Sequence, residues 1–132
     1  MFNRRWQDDR RRFQRLSVNL TVTYRVDGPL YVRRMFGTSE VEAVTLDLGR
    51  GGMAILAKSN IPVWATLVLK FMLFKTDKKG VVSFSDPVEV IGEVRSCLPV
   101  EDNYYRLGIC FKEIREQHKQ EISGFVSLTS QP

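Results

Sequence analysis

Between Ser17 and Val26 the chain alternates, with Val18, Leu20, Val22, Tyr24 and Val26 on every second residue and Asn19, Thr21, Thr23 and Arg25 between them. Only an extended strand, whose side chains point to opposite faces in turn, places all of these apolar groups on one side. The pattern recurs along the chain. "VEAVTLDL" (41–48) reads as a strand with Val44, Leu46 and Leu48 set against Thr45 and Asp47, and "MAILA" (53–57) as another. "TLVLKFMLF" alternates Leu67, Leu69, Phe71 and Leu73; "PVEVIGEVRS" carries Val88, Val90 and Val94; "NYYRLGICF" carries Tyr105, Leu107, Ile109 and Phe111. Turn signals separate these runs: "DGP" at 27–29, "KSNIPV", and the charged hairpin connection "KTDKKG". "LYVRRMFGTSE" (30–40) fits either an extra strand or a partly apolar loop.

After the last strand the period changes. The spacings of Phe111, Ile114, Ile122, Phe125, Val126 and Leu128 put most of them on one face of a helix, weakened at Gly124. An all-β architecture follows: about six short strands forming an antiparallel barrel or sandwich, with a C-terminal amphipathic helix over one open end or one face. A length of 132 residues suits a single domain, and 43% hydrophobic residues supply a core without covalent staples. Cys97 and Cys110 are far apart and form no CxxC pair, so they read as reduced core or strand residues of a cytoplasmic protein. No segment approaches the ~20 apolar residues of a membrane span, and "MFNRRWQDDRRR" offers no apolar stretch of secretory type.

The net charge of +5 is unevenly spread. Residues 1–15 hold six arginines (Arg4, Arg5, Arg10, Arg11, Arg12, Arg15) against Asp8 and Asp9, a net +4, which leaves +1 for the rest of the chain. None of these cations is a lysine. Guanidinium is a planar fork that pairs bidentately with phosphate or with the guanine edge and also stacks on bases. Charge alone leaves open a solvated basic tail.

Nothing in the sequence points to catalysis. His118, the single histidine, lies in "EQHKQE" and reads as a surface residue. One histidine and two scattered cysteines do not make a zinc site, and no nucleophile has an evident histidine partner. Glu89, Glu93, Glu101 and Asp102 read as solvated strand and turn residues. Gly49-Arg50-Gly51-Gly52-Met53-Ala54 matches G-x-G-x-x-A, the dinucleotide fingerprint. That motif needs a helix beginning at the glycines, and here "MAILAKSNIP" offers only a few residues before Asn60 and Pro62, with no βαβ spacing after them.

Two elements remain. Arg11-x-x-x-Arg15, preceded by Arg10, stands directly before the first strand. Asp47-x-Gly49-x-x-Gly52 stands at the junction of two strands, where glycines let a flat anionic ligand approach the backbone. In this order and ahead of this strand count, the sequence resembles the PilZ domain family, the bacterial receptors for cyclic di-GMP. The family pattern is RxxxR in an N-terminal arm followed by [D/N]xSxxG at a strand end. Arg11 and Arg15 match the first motif and Asp47 and Gly52 the second, while Gly49 stands where the family has serine.

The resemblance implies a six-stranded antiparallel β-barrel of split-barrel type with a C-terminal helix, an arginine-rich ligand-binding arm at 1–16 and the barrel with its helix at 17–132. It implies that Arg10, Arg11, Arg15, Asp47, Gly49 and Gly52 contact cyclic di-GMP as the arm closes over it. An arginine at position 10, immediately before RxxxR, goes in the family with an intercalated ligand pair. Such a protein is a receptor and effector, not an enzyme. It needs no metal or cofactor, and it signals to a downstream protein controlling motility, biofilm or exopolysaccharide output. The ligand chemistry agrees: guanine O6 and N7 accept from arginine, and Asp47 accepts from guanine N1–H and N2–H₂. Two other readings stay open. One is a PilZ-like interaction scaffold that has lost its ligand at Gly49. The other is a small barrel binding single-stranded nucleic acid, which the nearly neutral barrel body disfavours. Trp6 and Phe13 suit docking of the arm on apolar barrel surface.

Overall fold

The computed structural model describes the backbone of residues 15–130 and the side chains of residues 17–127. Strands β1 (Arg15–Gly28), β2 (Val41–Gly49), β3 (Gly52–Ala57), β4 (Thr66–Phe71), β7 (Val88–Pro99) and β8 (Tyr105–Ile114) form one closed antiparallel barrel in the order β1-β2-β3-β8-β7-β4. β4 returns to β1 from Val22↔Phe71 to Gly28↔Thr66 and closes it. The alternation read from the sequence is what fills the interior. Leu20, Val22, Tyr24 and Val26 from β1 meet Leu67, Leu69 and Phe71 from β4, Val88, Val90 and Val94 from β7, and Leu107 and Ile109 from β8 in one core. Full burial of each aliphatic side chain contributes about 1.5–3 kcal/mol, and the barrel form leaves no open strand edge in this sheet.

Three elements depart from the sequence expectation. Residues Leu30–Phe36, expected as strand or loop, form a short helix, α1. Pro29 starts it: its φ of −65° is already set, and its carbonyl accepts from the N–H groups of Val32 and Arg33 at 3.0 Å. Gly37 ends it with φ +78°, donating its N–H to Arg33 O at 2.8 Å. Val32 is buried and Phe36 half-buried, while Leu30, Tyr31 and Met35 face outward.

"TLVLKFMLF" does not stay extended to its end. β4 stops at Phe71, and Phe74–Thr76 (β5) pairs with Val82–Phe84 (β6) in a separate two-stranded sheet. The charged connection does form the expected hairpin: Asp77 Oδ1 accepts from the Lys79 and Val81 N–H groups at 2.8 and 2.9 Å, and Gly80 takes φ +84°. The C-terminal helix α2 spans Glu116–Ser130, so Ile114, expected on it, belongs to β8 instead, as does Phe111, which the sequence puts on both the last strand and the helix. Its buried Ile122, Phe125 and Val126 pack toward β1 and β2, and the Phe125 ring meets Phe74 edge-on with centroids 5.1 Å apart.

Candidate functional site

The site is built on the turn between β2 and β3 and on the strand that flanks it. Arg15 is the first residue of β1, and its backbone lies directly opposite Gly49; Ser17 lies opposite Asp47. The second arginine of RxxxR and the D-x-G-x-x-G turn are therefore neighbours across one ladder, at one end of the barrel. Arg10 and Arg11, with Trp6 and Phe13, lie outside the described residues.

Asp47 reaches the outer face of the barrel through an irregularity that the sequence does not announce. Ala43 and Thr45 are buried, so strict alternation would turn Asp47 into the core. The register against β3 shifts by one residue between Thr45 and Asp47, and that against β1 between Ser17 and Leu20. The bulge puts Leu46 and Asp47 together between inward-facing Thr45 and Leu48, and both stay half-buried. Of the residues expected inside, Leu48 is buried, but the phase before the bulge is corrected: Val44 is 42% exposed and Thr45 is fully buried.

The turn itself is unusual in a second way. Among the described residues, glycines with positive φ are Gly37 and Gly80, so Gly49, Gly51 and Gly52 all keep backbone dihedrals open to other residues. Neither Gly51 nor Gly52 therefore absorbs a left-handed dihedral. Gly52 has a different reason to be glycine: a Cβ there would run into the carbonyl oxygen of Ile109 on β8. The Gly51 carbonyl accepts from the Phe111 N–H at 2.9 Å, tying the turn to β8, whereas a Cβ on Gly51 would meet nothing. The helix that a dinucleotide fingerprint requires is absent here, because Gly52–Ala57 is strand.

The outer surface beside the turn is shallow. One register line runs Ser17↔Asp47↔Ala54↔Gly108↔Ser96 across β1, β2, β3, β8 and β7, and apart from Asp47 every side chain on it is small. The Ser96 hydroxyl lies where a Cβ on Gly108 would be. Across this floor Arg106 of β8 donates from Nη2 to Asp47 Oδ2 at 3.1 Å. Arg106 is a residue that the sequence reading passed over. Its only signal is parity: Leu107 and Ile109 are buried, so Arg106 and Gly108 take the opposite face of β8.

Elsewhere the chemistry is different. A groove of about 660 Å³ between β7, β8 and α2 is lined by Asp86, Glu89, Glu113 and Glu121 against Arg115, an arrangement that repels anions. His118, expected at the surface, is half-buried in that groove, with Nδ1 3.4 Å from the Glu89 backbone. Burial pushes the Cys97 thiol up, away from the reactive thiolate. Among the described residues no group of three or more His, Cys, Asp or Glu side chains is placed to hold a metal, and no helix is long and apolar enough to cross a membrane.

Comparison with known proteins places this arrangement. The fold is similar to the Bacillus subtilis inhibitor of motility MotI/DgrA, with a TM-score of 0.68 at 16% identity over 93% of this chain and 54% of that one. The chain thus spans about half the length of that protein. It is also similar to the PilZ domain of YcgR from Escherichia coli, solved with c-di-GMP (TM-score 0.57, 16% identity, 91% of this chain and 92% of that one). A third match is PlzA of Borreliella burgdorferi in complex with c-di-GMP (TM-score 0.51, 12% identity, 100% of this chain and 60% of that one). No functionally curated protein matches the chain by sequence. The PilZ domain family model matches residues 9–128, a span that takes in RxxxR, the β2–β3 turn, the barrel and most of α2. With that match and this barrel, the chain belongs to the PilZ domain family.

Proposed function

We propose that this protein is a cyclic di-GMP receptor whose N-terminal arm closes over ligand seated at the β2–β3 turn, and that the closed form signals to a downstream protein. The observation that carries the reading is the ladder pairing of Arg15 with Gly49, which sets the second arginine of RxxxR beside the β2–β3 turn. Cyclic di-GMP presents two phosphates and two guanines. Arg11 and Arg15 serve the phosphates and the guanine O6/N7 edge, while Asp47 accepts from N1–H and N2–H₂. Arg10 adds a guanidinium that stacks on a second guanine. Neighbours of the same fold support the ligand class, since the E. coli and Borreliella structures hold c-di-GMP. Ordering of the arm on binding supplies the switch, because it replaces one protein surface with another. Motility, biofilm or exopolysaccharide control is the output that fits, and the Bacillus neighbour is an inhibitor of motility.

Calorimetric titration tests the reading with cyclic di-GMP, GMP and a short single-stranded oligonucleotide. Cyclic di-GMP should bind with two molecules per domain, and the other two should not bind. Oligonucleotide binding alone would favour a nucleic-acid barrel, against which the barrel's own cations count: Arg25, Lys70, Arg95 and Arg106 are each paired with a carboxylate. Binding of none of the three would mark a scaffold that lost its ligand at Gly49.

Gly49 gives a graded test of the same site. Its φ is not positive, so the backbone dihedrals there are open to a serine. Gly49→Ser restores the hydroxyl of the family pattern beside Asp47, and one neutral hydrogen bond is worth about 0.5–1.5 kcal/mol. Binding should tighten by roughly two- to tenfold. Weaker binding would show that the backbone at residue 49 itself lies against the ligand.

A further inference from the structure

We propose that Arg106 is a positioning residue for guanine recognition, acting through Asp47; the role rests on the receptor reading above. Arg106 stands on β8 opposite Leu56, and Asp47 on β2 opposite Ala54, so β3 lies between them. The guanidinium must pass over β3 to reach the carboxylate, from the row of Leu56 to the row where β3 carries the methyl group of Ala54. The bond it makes, Nη2 to Oδ2 at 3.1 Å, joins residues 59 apart in sequence. The partners differ in exposure, 42% for the arginine side chain and 20% for the aspartate, so the carboxylate is the more enclosed of the two.

A receptor with Gly49 needs such a device. Without a hydroxyl at residue 49, guanine's N1–H and N2–H₂ both depend on Asp47 within the D-x-G-x-x-G turn. Those donors lie side by side in the plane of the base, so the carboxylate must be held in that plane to accept both. A carboxylate whose χ2 is less restrained loses this alignment for more of the time, and each bond to it narrows that range. Arg106 fixes the plane from the side. Each carboxylate oxygen accepts two hydrogen bonds, so Oδ2 can hold Arg106 and a guanine donor together. The contact is monodentate, and a lysine at 106 therefore supplies the same single charged bond.

The test compares wild type, Arg106→Ala, Arg106→Lys, Asp47→Ala and the Arg106→Ala/Asp47→Ala double variant by calorimetry. The ligands are cyclic di-GMP and cyclic di-IMP, which lacks the guanine 2-amino group. Arg106→Ala should weaken cyclic di-GMP binding by ~10-fold, the scale of one charge-assisted hydrogen bond. The same change made on Asp47→Ala should alter binding by less than ~2-fold, because its partner is already gone. The wild type's preference for cyclic di-GMP over cyclic di-IMP should shrink in Arg106→Ala and return in Arg106→Lys. That ratio, unlike affinity, does not move if Arg106 only steadies the barrel, and it stays readable if Asp47→Ala binds too weakly for the cycle. A single, part-buried surface pair of this kind adds little to stability, so Tm should stay within ~3 °C of wild type. The role is overturned if Arg106→Ala keeps the wild-type preference, or if its loss is undiminished on Asp47→Ala, which would put Arg106 on the ligand itself. A wild type that binds neither cyclic dinucleotide overturns the receptor reading and this role with it; a wild type that binds while Arg106→Ala matches it overturns the role alone.

Discussion

Replacing Arg11 and Arg15 together with alanine should weaken cyclic di-GMP binding by about a hundredfold or more, since two charge-assisted hydrogen bonds at ~1.5 kcal/mol each pass ~2.8 kcal/mol, and each 1.4 kcal/mol is tenfold. Arg15 opens β1 with its backbone opposite Gly49, so any ligand held by the β2–β3 turn lies beside it. Arg11 precedes it by four residues and brings a second guanidinium to a ligand with two anionic groups. The loss should be larger at low ionic strength, where phosphate–guanidinium attraction is least screened. Tm of the free protein should hardly change, because the first of the two lies ahead of the barrel strands and the second at the very start of β1. Circular dichroism melting and calorimetry of the same sample separate the two effects. Normal binding by the double variant would show that the ligand site is elsewhere.

Gly52→Ala should be the most damaging small change in the barrel. The added methyl group would meet the Ile109 carbonyl, a backbone atom that cannot turn aside, so β3 and β8 must move apart where Gly52 pairs with Cys110. Overpacking of this kind costs about 2 kcal/mol, a fall of roughly 8 °C in Tm for a domain of this size. Gly51→Ala is the internal control. It adds the same methyl group one residue earlier, into open space and without a positive φ, and Tm should hold or rise slightly. Equal melting of the two variants would contradict the close β3–β8 approach. Chemical denaturation of both gives the free energies directly.

Much of the barrel was legible because burial in a strand is periodic. Leu20, Val22, Tyr24 and Val26 on β1, and Leu107 and Ile109 on β8, are buried where alternation put them. The order of elements and the family were legible too, since the RxxxR and D-x-G-x-x-G spacings survive in a linear reading. The short helix at Leu30–Phe36 was missed for a local reason: seven residues are too few for a 3.6-residue period to stand out, and the stops at Pro29 and Gly37 suit a loop equally well. The boundary of α2 was misplaced because Phe111 and Ile114 satisfy a strand face and a helix face alike.

The sequence by itself determined the strand count of the barrel, the C-terminal helix, and the residue types and spacing of the motif. These depend on periodicity and on neighbours in the chain. Only the tertiary structure decided which way Asp47 points, why Gly52 is glycine, and that Arg106 reaches Asp47. The first depends on a bulge whose cost and benefit lie in the pairing of β2 with β1 and β3. The second depends on how closely β8 approaches β3. The third joins two strands that pair with β3 on opposite sides of it, so that a side chain must cross β3 to make the contact. Contacts between residues far apart in the chain leave no period behind, and the pairing of β2, β3 and β8 is what brings those residues together.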